Sequence, residues 1–239
     1  MNKKAVCVIS GGMDSATAAY IAKSMGYDII ALHFDYNQRT MDREKQCFLQ
    51  LCDDLSVAHK IIINANFIAQ IGGNSLTDTN LPIRHNALNK NEIPNSYVPF
   101  RNGIFLSIAA AVAQKEQANA IFIGIVDEDS SGYPDCSNNF IRQINAAINT
   151  GTGDNFTIYA PLVHLSKGEI VKKALEMGVP LAHTYSCYQN NQTPCGTCDS
   201  CLLRAKGFAL AGVEDPVWQW AVSSEQWLCQ AYGLTDMIR

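Results

Sequence analysis

No stretch of this chain approaches the ~18 consecutive apolar residues that would cross a bilayer. Its start, MNKKAVCVIS, runs straight into a strand-like segment and lacks the pattern of a secretory leader. A membrane association is therefore not expected, and a cytoplasmic location is. Basic charge is also scarce: the formal net charge is -4, and Lys and Arg form no run beyond pairs such as Lys172-Lys173. Gripping nucleic acid directly needs a concentrated positive surface. Small molecules are the expected partners. Internal repeats and low-complexity stretches are absent as well.

What is present is enough chain for a sizeable core, 239 residues of which 47% are hydrophobic, within the size range of one α/β domain with a small appendage. Nine cysteines stand out. A cytosolic compartment keeps thiols reduced, so a cluster of them reads as ligands or catalysts and not as disulfides.

Along the chain, Ala5 to Ile9 is a short apolar run ending in Ser10-Gly11-Gly12, and Ser15 to Met25 is Ala-rich and stops at Gly26. This predicts strand, tight turn, helix. The unit recurs loosely, with strands over Ile29 to Phe34 and His59 to Ile63 and a helix over Arg43 to Leu55. Residues 72–99 are polar and turn-rich without a period, the mark of a functional or mobile loop. Beyond it the pattern predicts helices over Ile104 to Lys115 and Phe140 to Ile148 and a buried strand over Ala120 to Gly124. A capping box of Ser166 and Glu169 starts a helix to Met177. Strands alternating with helices imply a parallel α/β sheet. After Cys187 the character changes to a cysteine-bearing loop, a helix near Leu202 to Ala211 and a tail holding Trp218, Trp220 and Trp227. Packing or an oligomer contact is the simplest role for those rings.

Two motifs carry chemistry. Ser10-Gly11-Gly12-Met13-Asp14-Ser15 lies between a predicted strand and helix, where glycines let backbone N–H groups approach an anion at the helix N-terminus. It has no Lys of the G-x-x-x-x-G-K-[ST] type, so a basic residue elsewhere, hydroxyls and Mg²⁺ must meet the phosphate charge. Asp14 could hold Mg²⁺ or cap the helix, and Asp35 sits at the carboxyl edge of the sheet where ligands collect. The plain alternative is an ordinary tight turn. The second motif is Cys187, Cys195, Cys198 and Cys201, with a doubled C-x-x-C at its core. Four thiolates match a closed, structural Zn²⁺ site, with an iron-sulfur cluster as the competing occupant. Cys7, Cys47, Cys52 and Cys229 read as buried small hydrophobes. Cys136 is a conceivable nucleophile but has no evident base beside it, and the five histidines are scattered structural residues.

The phosphate turn resembles the SGGxDS signature of the PP-loop ATP-pyrophosphatases. Taken in order, SGGMDSAT, HFDYNQRT, YVPFRNGIFLSIAA, SGYPDC, PLVHLSKGEI and SCYQNNQTPCGTCDSCLLRAKGF resemble the 7-cyano-7-deazaguanine synthase family of that superfamily. The resemblance implies a parallel-sheet, Rossmann-like PP-loop domain of the adenine nucleotide alpha hydrolase type over residues 1–180, with a zinc-binding helical part over 181–239 packed on it as one unit. It also implies one structural Zn²⁺, ATP with Mg²⁺ as co-substrate, 7-carboxy-7-deazaguanine and ammonia as the other substrates, and a homodimer. The ATP loop would be Ile9, Ser10, Gly11, Gly12, Met13, Asp14, Ser15, Ala16, Thr17, Ala18 and Ala19, with Asp35 nearby. Ser10, Asp14, Ser15 and Lys167 would carry catalysis, Lys167 as the missing basic residue on the phosphates. Arg101, Asn102, Gly132, Tyr133 and Asp135 would recognise the deazaguanine, and Cys187, Cys195, Cys198 and Cys201 would hold the zinc. The plain alternatives are a surface ion pair for Arg101 and a core ring for Tyr133. The chain departs from the family block VPGRN at Phe100. Similar enzymes attach a deazaguanine to protein, so a protein amine is the alternative acceptor, and a tRNA-modifying PP-loop enzyme is a further alternative.

Overall fold

The computed structural model describes residues 3–85, 93–127 and 133–217. Gly132, Cys229 and the three tail Trp lie outside the described residues. Five parallel strands form one sheet in the order β3-β2-β1-β4-β5: β1 Lys3–Val8, β2 Tyr27–Asp35, β3 His59–Asn64, β4 Ala120–Ile123 and β5 Thr157–Tyr159. The central strand β1 shows why both faces must be covered. From Ala5 to Val8 its residues are apolar without alternation, and Ala5 and Cys7 pack to one side while Val6 and Val8 pack to the other. A strand buried on both faces reads as a continuous apolar run.

One layer of helices, α4 Arg101–Glu116 and α5 Asn138–Thr152, seats Leu106, Ala109 and Ile141 on the first face. The opposite layer is α1 Met13–Ser24, α2 Met41–Asp54, α6 Lys167–Glu176 and α7 Asp199–Ala211, contributing Ala16, Phe48, Ile170 and Phe208. The small side chains of α1 let it lie close against the sheet. The only other α-helix among the described residues is the short α3, Phe67–Ile71.

The expected α/β parallel-sheet class is the one observed, with two unforeseen elements. The five-residue α3 and the three-residue β5 are too short to show a period. Tertiary bonds hold β5 in place: Asn149 Oδ1 accepts from Phe156 N (2.8 Å) and Asn145 Oδ1 from Ile158 N (2.9 Å). The Ser166 capping box is present, with Ser166 N donating to Glu169 Oε2 at 2.8 Å, and it opens α6 at Lys167. In this strand order the connections leave β1 and β4 in opposite directions, and the crevice beyond their carboxyl ends is where open α/β sheets bind ligands.

Candidate active site and metal centre

The turn after β1 is held by its own hydroxyls. Ser15 Oγ accepts from Ser10 N (3.1 Å) and donates to Gly12 O (3.0 Å), while Ser10 Oγ lies 3.0 Å from Ser15 Oγ and accepts from Gly12 N (3.3 Å). Gly11 has φ 90°, and a Cβ there would stand 2.5 Å from the Glu44 carbonyl. Both facts demand glycine. Gly124, just past β4, is equally constrained: a Cβ would stand 2.5 Å from Asp14 C and Ser15 N. The phosphate turn therefore rests on bare backbone from the neighbouring strand end.

Lys167 reaches this turn from the start of α6 and donates from Nζ to Asp14 Oδ2 at 2.5 Å. The other Asp14 oxygen, Oδ1, is buried without a hydrogen-bond partner. Ala16, Thr17, Ala18 and Ala19 are buried in α1, with Thr17 Oγ1 bonded to Met13 O (2.8 Å), and they support the turn from behind. Asp35 ends β2 beside Lys45 (3.1 Å) and His33 (3.3 Å). His33 Nδ1 lies 2.8 Å from Ile9 O, so the ring ties β2 to the start of the phosphate turn.

A cavity opens beside the turn, lined by Ile9, Ser10, Gly12, Met13, Asp14, Ser15 and Lys167, and also by Arg101, Asn102 and Tyr133. Arg101 begins α4, donates to Tyr36 Oη (3.0 Å) and lies over the Tyr36 and Phe105 rings. Tyr133 Oη is 2.8 Å from Ser96 Oγ. Asn102 and Asp135 mainly engage each other: Asp135 Oδ2 accepts from Asn102 N (2.9 Å), and Asn102 Nδ2 donates to Asp135 O (3.2 Å). Asp135 is buried and is not among the residues that line the cavity, and burial raises its carboxyl above the usual range. Cys136 accepts from Asn102 Nδ2 (3.3 Å), and burial pushes its thiol up to about 12, leaving it unsuited to nucleophilic work at neutral pH. Cys7, Cys47 and Cys52 are buried, in keeping with their apolar reading. Phe100 precedes α4 in the left-handed region, φ 54° and ψ 27°, a conformation a glycine adopts freely and a bulky residue does not.

The cysteine quartet comes together. The sulfurs of Cys187, Cys195, Cys198 and Cys201 all lie within 4.8 Å of one another and could hold a metal ion. Cys187 Sγ accepts backbone N–H bonds from Gln189 (3.3 Å) and Cys195 (3.3 Å). Hydrogen bonds from the Cys198 and Cys201 thiols hold the Cys187 thiol well below its ordinary value. The same segment walls the cavity with Tyr185, Ser186, Cys187, Tyr188 and Ser200. His85, from the long loop, forms an antiparallel bridge with Cys198. Among the lining residues given no role in the sequence are Tyr36, Glu44, Tyr188 and Arg204. Tyr36, Tyr188 and Arg204 fall inside the family blocks without a spacing that assigns them a role, Glu44 falls in none of the blocks, and only the fold makes them neighbours.

Residues 4–212 match the family described as Queuosine biosynthesis protein QueC. The chain belongs to this family. The match runs from β1 to one residue past α7 and so takes in the phosphate turn and the cysteine quartet. Among QueC relatives, the 7-cyano-7-deazaguanine synthase of Campylobacter hominis is 65% identical over 90% of this chain and 98% of its own length. The synthase of the same name from Sulfurovum sp. is 54% identical over 91% of this chain and 98% of its own length. A solved 4-thiouridine synthetase–RNA complex with bound ATP aligns with 97% of this chain and 54% of that one, at 19% identity and a TM-score of 0.50. That likeness concerns the PP-loop fold alone. The QueC match and these relatives agree with the family resemblance carried by the six sequence blocks.

Proposed function

We propose that the chain is an ATP-dependent carbon–nitrogen ligase that converts 7-carboxy-7-deazaguanine and ammonia to 7-cyano-7-deazaguanine in queuosine biosynthesis, through adenylated acid and amide intermediates. One observation carries the assignment of residues: a single cavity is lined by the phosphate turn, by Lys167 and by Arg101 with the rings of Tyr133 and Tyr188. A carboxylate would have to expel oxide, so its oxygen is first joined to AMP, which leaves readily. That step calls for charge clamping. Ser10, Ser15, the backbone N–H groups of residues 11–14 and Lys167 stabilise the departing pyrophosphate, the electrostatic role that is usually the largest rate term. Asp14, with a buried unbonded oxygen at the turn, fits Mg²⁺, which when bound neutralises phosphate charge. Arg101 meets the acceptor's carboxylate in a fork, and Tyr133 and Tyr188 offer faces to the flat base. Asn102 and Asp135 act chiefly by fixing the start of α4.

For the metal, Zn–S bonds of about 2.3 Å in a tetrahedron separate sulfurs by about 3.8 Å, and Cys195 Sγ and Cys201 Sγ are 4.0 Å apart. The N–H bonds to Cys187 suit a thiolate ligand. Zinc here is structural, because four protein ligands leave no open position, and it stiffens the wall that carries Tyr188. The reading includes a cytoplasmic homodimer and a boundary near residue 180 between the PP-loop part and the zinc part. Among the described residues no helix is long and apolar enough to cross a membrane.

Mass spectrometry of the protein with 7-carboxy-7-deazaguanine, Mg-ATP and ammonium tests the reaction. Nitrile and AMP are expected. Activated base that accumulates without reacting with ammonium would transfer the reading to a protein amine acceptor. Full activity of Cys136→Ala is expected and would set aside sulfur transfer to tRNA.

A further inference from the structure

The proposed reaction leaves one requirement without a residue. The nitrogen donor is mostly ammonium at neutral pH and has no lone pair until it loses a proton. Among the described residues lining the cavity only two carry carboxylates, Asp14 and Glu44. Asp14 is paired with Lys167. Among the described residues Glu44 forms no ion pair and is held by neutral donors: Thr40 Oγ1 donates to Oε1 (2.6 Å) and Gln38 Nε2 to Oε2 (3.0 Å). Both donors are buried, and Tyr36 N donates to Gln38 Oε1 (2.9 Å), which aims the amide nitrogen at Glu44. Each carboxylate oxygen keeps a lone pair. The Glu44 backbone packs on Gly11, and Glu44 lines the same cavity as the phosphate turn.

We propose that Glu44 is the ammonium site, its carboxylate binding the cation, taking one proton and releasing ammonia beside the adenylated acid. The proposal rests on the synthase reading above. In the step, the N–H electron pair stays on nitrogen as the proton passes to Glu44. The C–N bond forms, the C–O bond to AMP breaks with its electrons on AMP, and the nitrogen gives a second proton to water. Glu44 returns its proton to water before the next cycle. Burial raises the Glu44 carboxyl above the usual range, which strengthens it as a base, while Arg101 on α4 lowers it and Asp35 on β2 raises it.

The test compares wild type with Glu44→Gln in three assays: pyrophosphate release with 7-carboxy-7-deazaguanine and Mg-ATP, amide formation from ammonium across neutral to alkaline pH, and hydroxamate formation from hydroxylamine, which is largely unprotonated at neutral pH. Glu44→Gln should keep pyrophosphate release and hydroxamate formation but lose about 10²-fold or more in kcat/KM for ammonium. The loss should shrink at alkaline pH, where free ammonia is abundant. An equal loss in all three assays, or undiminished use of ammonium, would overturn the proposal and leave Glu44 a structural support. No pyrophosphate release by wild type would instead remove the synthase reading itself. If Glu44→Gln does not fold, Thr40→Val decides. It keeps the carboxylate but removes one donor, so the acid limb of ammonium-dependent turnover should move to higher pH, and an unmoved limb would overturn the proposal.

Discussion

Replacing Gly124 with alanine puts the contact between the sheet and the phosphate turn to a quantitative test. The added Cβ would lie 2.5 Å from Asp14 C and Ser15 N and 2.6 Å from Asp14 O. All three are backbone atoms at the start of α1, with no rotamer to turn aside. Restoring a 3.4 Å contact requires 3.4 − 2.5 = 0.9 Å of movement. Overpacking of this kind costs about 1–3 kcal/mol, or roughly 2–12 °C in Tm for a chain of this length, so the variant should fold. Catalysis should suffer far more, because a misplacement of about 1 Å in groups that clamp the reacting atoms costs on the order of 10²-fold in rate. Steady-state AMP formation reads the effect, with Gly151→Ala as a control, since a Cβ at that α5 position meets nothing within 4 Å. The control should match wild type in rate and in Tm within a few degrees. A Gly124→Ala enzyme within twofold of wild type would refute the claim that turn placement limits turnover.

Three further outcomes are expected. Arg204 is 3% exposed and pairs with Asp215 through two bonds of 2.6 and 2.9 Å, so Asp215→Ala strands a buried cation and should cost about 3–5 kcal/mol; calorimetry showing under about 1 kcal/mol would contradict this. Bonds from the Ser166 hydroxyl and backbone N–H hold the Glu169 carboxyl below its ordinary 4.5. The unfolded chain then binds that proton more tightly, so the stabilisation is complete above 4.5 and disappears as pH falls through the lower folded value. Glu169→Gln should melt below wild type at neutral pH and converge with it in acid; a constant gap would argue against the linkage. Stripping the metal with a chelator should abolish activity and open residues 187–201 to protease, with zinc restoring both, and a metal-free preparation of full activity would refute the structural role of the site.

Much of the architecture was legible because it rests on local pattern. The apolar runs at β1, β2 and β4, the Ala-rich helix after the phosphate turn and the Ser166 capping box each declare themselves within a few residues. The cysteine quartet was legible for the same reason, since its ligands lie within one short segment. What escaped was either short, like β5, or assembled from distant segments. Glu44, Tyr36 and Tyr188 come from three places in the chain and carry no shared motif, and the bond from Asn102 N to Asp135 Oδ2 joins two further segments that no local pattern links.

Sequence by itself determined the chemistry that spacing can encode: a glycine-bearing turn that presents backbone donors to an anion, four sulfurs spaced for one metal, and alternating strands and helices that must bury both faces of a parallel sheet. Only the tertiary structure decided which side chains share the cavity, because strand order and helix packing bring residues 153 positions apart, such as Asp14 and Lys167, within hydrogen-bond reach, and no local pattern records the end point of that closure.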